Sequence, residues 1–312
     1  MAEIRPTLYS RELQKQIFPN NEFYKKSVAE TGVADTTETV EKPVQTKISK
    51  AKEGAPKSLP LSIEVSTDTK KTYQTTLIYC SPLLIDSQSE LMVNYNKRAT
   101  KQAQQAGEIN VKVANYAAFH WAPTKSDNLV KTTGAGRGSN IVGLTGNRKA
   151  LVKADILGIY NLMLRMNVSG LGGKWYGLLT ADAYTDLLSI PEFVDFQKTG
   201  NTTKLEQGII GTLMGIEFLT RSTDEGHAGL LYKADGKTPI SADATIDNAF
   251  LPANLFWNDK MVCRAEGTLR TVVNEAAPGY LGGTILEAFT RFGADIVRDD
   301  QKGVIALLED KV

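Results

Sequence analysis

The sequence predicts an α+β chain in which an extended, polar N-terminal stretch precedes a mixed body of helices and strands. Three observations carry that reading. Thr36 to Thr76 alternates like a long, thin strand pair (Thr37, Thr39, Val40, Val44, Thr46, Ile48, then Leu61, Ile63, Val65, Thr67) but holds few apolar side chains. A helical pattern runs from Ser87 to about Trp121. Strand patterns crowd the tail, at Lys260–Val273, Gly283–Phe292 and Val304–Leu308.

Taken in order, Leu8 to Ile17 has helical spacing through Leu8, Glu12, Leu13, Gln16 and Ile17, and Pro19 stops it. Phe18, Phe23 and Tyr24 form an aromatic group that must dock, either on the chain's own body or on a neighbour. The hairpin follows, with arms Thr36–Lys50 and Leu59–Tyr73 and the turn-forming run Lys52–Pro56 between them. A two-stranded ribbon is marginal in water, so a second copy of the chain is the expected holder. Lys42, Lys47, Lys50 and Lys52 are expected on a solvated face, where lysine discourages unplanned edge pairing, or else in salt bridges with an acidic patch on an adjacent subunit.

Tyr73 to Ile85 is apolar enough to return to a core. Ser87 then serves as an N-cap, with Glu90 three residues on. The helix that follows carries a stripe of Leu91, Tyr95, Ala99, Ala103, Ala106, Val113 and Ala117, and Gly107 predicts a bend in it. Beyond it come a strand at Leu129–Thr133, a glycine-rich loop at Gly134–Ser139, and a helix over Asn147–Met166 burying Leu151, Ile156, Ile159, Tyr160, Met163 and Leu164. Trp175–Leu179 reads as a buried strand, Ala181–Leu188 as a helix, and Ile216–Thr220 and Ala228–Tyr232 as short strands. Asn274–Gly279 is a turn between the first two tail strands.

Composition narrows the function classes. Balanced charge, 36 basic against 35 acidic residues, marks no wholesale nucleic-acid or membrane binder. The N-terminus lacks the apolar core of a signal peptide, and no apolar run approaches the ~20 residues that span a bilayer; a soluble product made in the cytosol is expected. Cys80 and Cys263 are expected as reduced, buried thiols.

No catalytic, cofactor or metal residues are assigned. His120, between Phe119 and Trp121, reads as a packed histidine, and His227 as a loop residue; neither has a second ligand at helical or strand spacing. Gly134–Ser139 and Gly170–Lys174 both lack the Gly-Lys-Ser/Thr ending of a phosphate loop. Asp299–Asp300 reads as a solvated turn, and Asp182 and Asp186 share one helix face.

From Asn147 onward the order of elements resembles the tailed-phage major capsid proteins of the HK97 fold. The helix ends in Asn167-Val168, with Ser169 where the family usually has proline. It is followed by Gly172-Gly173-Lys174, the strand Trp175–Leu179 and a helix closing in Leu187-Leu188. Gly208–Ser222 and Phe289–Val304 resemble the family's later strand approach and closing strand pair. The resemblance implies an N-terminal arm (1–35), an extended β-hairpin or E-loop (36–80), a peripheral domain with a long spine helix (81–123 plus 261–312) and an axial domain (124–260).

It also implies a non-enzymatic shell protein forming hexamers and pentamers of an icosahedral virion around double-stranded DNA, assembled in the host cytoplasm without a membrane. A separate scaffold protein, a portal and decoration proteins are the expected partners, with only non-specific contact to the DNA. The alternatives are an encapsulin-like nanocompartment shell, a tail-tube or decoration protein, and an oligomeric metabolic enzyme with an unrecognised site.

Overall fold

The computed structural model describes residues 21–30, 34, 38–45, 51, 53–54, 63, 65, 68–86, 97–141, 143–190, 209–221, 230–241, 244–275 and 283–312. Several expectations lie outside them: the helix Leu8–Ile17, the Ser87 cap with Leu91 and Tyr95, most of the hairpin's distal part, His227, and all but the first two residues of the Asn274–Gly279 turn.

The described chain opens with a 3-10 turn at Glu22–Lys25, β1 (Val28–Ala29), β2 (Thr39–Gln45), β3 (Asp68–Gln74), β4 (Thr76–Tyr79), β5 (Leu83–Ile85) and α1 (Lys97–His120). Next come β6 (Leu129–Lys131), β7 (Gly136–Gly138), β8 (Asn147–Lys149), α2 (Lys153–Arg165), β9 (Trp175–Leu179) and α3 (Ala181–Leu188). The remainder is β10 (Ile209–Leu213), β11 (Ile216–Thr220), β12 (Leu231–Tyr232), β13 (Pro239–Ile240), β14 (Leu251–Asn258), β15 (Val262–Glu266), β16 (Arg270–Asn274), β17 (Thr284–Ile296) and β18 (Val304–Leu308).

The long strand β17 organises the first sheet. Along one edge it pairs antiparallel with β15 and then β16, along the other with β4 and β5, and β1 adds parallel to β15. Its sequence alternates, and so does its burial: Leu286, Ala288, Thr290, Phe292 and Ala294 are buried, while Ile285, Glu287, Phe289 and Arg291 are half-buried on the opposite face. The buried face meets α1, whose Gln105 Nε2 donates to the Leu286 carbonyl.

The second sheet runs β10-β11-β9-β14-β12-β13, with β18 between β14 and β6. Every residue of β14 and β18 is buried because both faces of this sheet are covered. Leu251, Ala253, Leu255 and Trp257 of β14 join the core shared with α1. Phe256, Ile305 and Leu307 join the core under α2 and α3, with Ile156, Ile159, Met163 and Leu187.

Local chemistry fixes the joints. The Thr180 hydroxyl accepts from the Ala183 N–H to cap α3, and Asp155 reaches back to the Val152 N–H at the start of α2. Met214 and Gly215, with φ of 51° and 78°, make the two-residue turn between β10 and β11, where both central residues need positive φ.

Several expectations need correction. Asn147–Lys149 is a strand, so the helix begins only at Lys153, and Tyr160 and Leu164 face outward. α1 passes through Gly107 unbroken, and Ala99 and Ala103 are exposed; its buried side lies further on, at Ile109, Val113, Ala114, Ala117 and Ala118. Within the glycine loop, Gly136–Gly138 forms β7 and pairs with β8. Lys260–Val273 divides into β15 and β16, and β14 is a strand where the sequence shows no strand pattern. The tail also divides: β15–β17 lie in the first sheet, whereas β18 lies in the second.

Candidate assembly surfaces

The base of the hairpin is seated on the chain's own body. β2 and β3 form a regular antiparallel ladder from Thr39↔Gln74 to Gln45↔Asp68. Val40 and Tyr73 pack with Ala34, Cys263 and Ala265 in a small separate core. Polar contacts surround it. Lys42 pairs with Glu30, which also accepts from the Tyr73 hydroxyl. Lys71 Nζ reaches Asp295 at 2.9 Å and donates to the Ile296 carbonyl. Arg291 pairs with Glu38 at 3.1 Å.

Lys42 is therefore a buried anchor rather than part of a solvated face; Lys47, Lys50 and Lys52 lie outside the described residues. The hairpin's second, returning arm is the opposite case. Ile63 is 92% exposed and Val65 67%, two aliphatic side chains at strand spacing with nothing of the described body over them. Of the aromatic group, Phe23 and Tyr24 are buried in the main core, where Phe23 meets Trp121 and Trp257 edge-on.

Cross-strand register reveals a second surface. Residues directly opposite in an antiparallel pair share a face. Phe289 stands between Arg270 and Tyr79, Arg291 opposite Leu77, Glu287 opposite Val272, and Ile285 opposite Leu84. Leu77, Tyr79, Leu84 and Val272 are all exposed. The side of the first sheet turned away from α1 is thus an apolar face carrying a few charges. On α2, Leu157, Tyr160 and Leu164 form an exposed apolar stripe at helical spacing.

A charged cluster ties the β7–β8 ribbon to the body. Arg137 Nε lies 2.7 Å from Asp186, Nη2 3.1 Å from Glu309, and Nη1 3.3 Å from Asp182. The carboxylates are otherwise well satisfied: Asp182 accepts from the Asn140 N–H and side chain, Asp186 from the Leu151 N–H, and Glu309 from Thr180 and Asn254. Burial opposes the charge on Arg137, yet Glu309, Asp186 and Asp182 together hold its pKa above the usual value. Burial pushes the Glu309 carboxyl up, against the pull of Arg137. The spacing of Asp182 and Asp186 was visible in the sequence; their joint partner was not.

His120, the acidic pairs, the glycine-rich stretches and the cysteines are dispersed. His120 stacks on Tyr116 at 4.1 Å, and burial lowers its pKa. It lines a groove of about 370 Å³ between β4 and α1, together with Leu77, Tyr79, Lys112 and Asn115. Asp300 holds Arg298 through two contacts and accepts from the Lys302 N–H, and Asp299 lies 3.6 Å from Lys71. In the stretch Gly170–Lys174, the Lys174 ammonium pairs with Glu217 at 3.2 Å. Cys80 and Cys263 are free, the first half-buried and the second buried. Among the described residues no group of three or more His, Cys, Asp or Glu side chains is placed to hold a metal, and no helix is long and apolar enough to cross a membrane.

No family model and no curated protein matches the chain. Solved structures do. The capsid of cyanophage P-SCSP1u aligns over 99% of this chain and 94% of its own, at 14% identity and a TM-score of 0.67. The capsid of Ralstonia phage GP4 aligns over 99% and 96%, at 11% identity and a TM-score of 0.67. The mature capsid of bacteriophage PhiM1 aligns over 98% and 92%, at 15% identity and a TM-score of 0.63. The chain has the HK97-like fold of these capsid subunits.

Proposed function

We propose that this chain is a structural shell protein, the major subunit of an icosahedral tailed-phage head, forming hexamers and pentamers around packaged double-stranded DNA. The observation that carries this reading is coverage. The likeness to capsid subunits takes in 98–99% of the chain and 92–96% of the three structures, so the capsid-type fold accounts for nearly its whole length. Two surface features support it. Among the described residues, Ile63 and Val65 of the hairpin's second arm are uncovered, and a broad sheet face is apolar and open. Contacts of this kind, many and individually modest, suit a shell that must correct errors while it closes.

In this reading the hairpin clasps a neighbouring subunit. In the same reading the chain divides into arm (1–35), hairpin (36–80), peripheral (81–123 with 261–312) and axial (124–260) regions; residues 21–30 of the arm and 68–80 of the hairpin return to the subunit's own body, and β18 lies in the sheet of the axial side. The protein has no enzymatic role, resides in the virion and is assembled in the host cytoplasm. A separate scaffold protein, a portal and decoration proteins are its partners, and its contact with DNA is non-specific.

The test is expression of the chain alone and together with the genes that flank it, read by negative-stain imaging and light scattering. Closed shells or capsomer-sized rings are expected. Replacing residues 46–67 by a two-residue turn should leave a folded subunit that no longer closes shells. A uniform monomer or small oligomer in every preparation would overturn the proposal, and shells that exclude DNA in the phage context would favour a nanocompartment.

A further inference from the structure

We infer that β16 is a pairing edge through which two copies of the chain join antiparallel, with Val272 opposite Val272. The inference rests on the shell reading and names one of its contacts. β1 covers the outer edge of β15, but among the described strands β16 pairs only with β17. All five of its residues, Arg270–Asn274, are exposed. Val272 shares the face of Glu287, and Val273 the opposite face of Leu286, yet they are 45% and 41% exposed. Among the described residues, bare β-branched side chains therefore flank, on both sides of the sheet, a backbone edge that no other strand pairs.

Soluble proteins blunt such edges with lysine, proline, a bulge or a covering loop. This chain does so on β2, which carries the exposed Glu41 and Pro43. β16 itself carries neither lysine nor proline: Thr271, Val272 and Val273 are uncharged and β-branched, and only Arg270 at its end is charged. Antiparallel pairing about Val272 sets Thr271 against Val273 and Arg270 against Asn274. No like charges meet, and β-branched pairs form on both faces. Such a contact is isologous and closes on a two-fold axis, which makes a second copy the fitting occupant.

The test is the Val272→Cys variant, co-expressed as above, oxidised mildly and run on a gel without reductant. Opposed residues in an antiparallel pair lie about 4.5–5.5 Å apart at Cα, within the range a disulfide bridges. Most of the variant should run as a covalent dimer, whereas wild type and a Lys237→Cys control on an exposed loop should not. A Val272→Lys variant should keep the subunit's thermal midpoint while its assembly yield falls at least tenfold. Shells that form from the Val272→Cys variant without covalent dimers would overturn the inference and leave the shell reading intact. Dimers without shells would uphold the edge and overturn the shell reading. If neither appears, both fall.

Discussion

Lys42 and Lys71 stand directly opposite one another in the hairpin ladder, and each turns to a carboxylate of the body, Glu30 and Asp295 respectively. Two ammonium groups so placed would repel if left unpaired. Paired as they are, they fix the angle at which the hairpin leaves the sheet.

The Lys71→Met variant should loosen that seat while the main core stays intact. Lys71 is mostly buried, so losing its charge-assisted bonds and leaving Asp295 without a cation should cost about 1.5–3 kcal/mol locally. Amides of β2 and β3 should exchange faster by roughly one to two orders of magnitude. Unchanged exchange there would show that Val40 and Tyr73 alone hold the base.

The glycine at 303 predicts a larger, global effect. Gly303 has φ of +87°, and a Cβ there would come within 2.2 Å of Met261 Cγ. Its carbonyl also accepts from the Asn258 N–H, which ties the start of β18 to the end of β14. Gly303→Ala should cost roughly 2–4 kcal/mol from backbone strain and overpacking together. Urea unfolding should show a lower midpoint at unchanged slope; an unchanged midpoint would mean the turn relaxes freely.

The elements that the sequence displayed are those whose burial is simple. β17 alternates because one face is covered, and β9 and β18 are continuous apolar runs because both faces are. β14 is equally buried but reads poorly, because Pro252, Asn254 and Asn258 interrupt its apolar run. Tertiary partners absorb that polarity. Asn254 Oδ1 accepts from the Thr180 N–H, and Asn258 Oδ1 accepts from the Lys260 N–H. The strand at Asn147–Lys149 was hidden for a related reason. Its partner β7 lies in a glycine-rich stretch with no strand pattern of its own. The Arg137 cluster had no local signature, since Asp186 and Glu309 are 49 and 172 positions away. The pairing of β2 with β3 at the hairpin's base was legible, but its seat on the chain's own body was not, because Glu30 and Asp295 come from two distant strand ends.

Glu309 gives a pH prediction with a definite sign. Burial raises its native pKa above the ordinary carboxylate value of about 4.3 in the unfolded chain. Between those two values the native state keeps a proton that the unfolded state has released. The group's contribution to stability is therefore full below the ordinary pKa and is lost as pH rises through the raised one. Glutamine keeps the size and an acceptor for Thr180 but never ionises. The thermal midpoint of Glu309→Gln, relative to wild type, should climb as pH rises through that window. A constant difference from pH 4 to 8 would show that Arg137 fully offsets the burial.

Phe23 separates the arm from the body. It lies in the core with Trp121 and Trp257, whose indole N–H donates to the Lys26 carbonyl. Nearby, Arg264 gathers the carbonyls of Tyr24, Lys25 and Ser27. The segment from Asn21 to Glu30 is thus part of the subunit's own fold. Phe23→Ala should cost about 3–5 kcal/mol, the range for a buried aromatic, and should perturb tryptophan fluorescence because both indoles lose a packed ring. Removing residues 1–20 should leave the midpoint and the emission unchanged while altering assembly. If that truncation instead destabilises the isolated subunit as much as Phe23→Ala does, the boundary between arm and body lies upstream of Asn21.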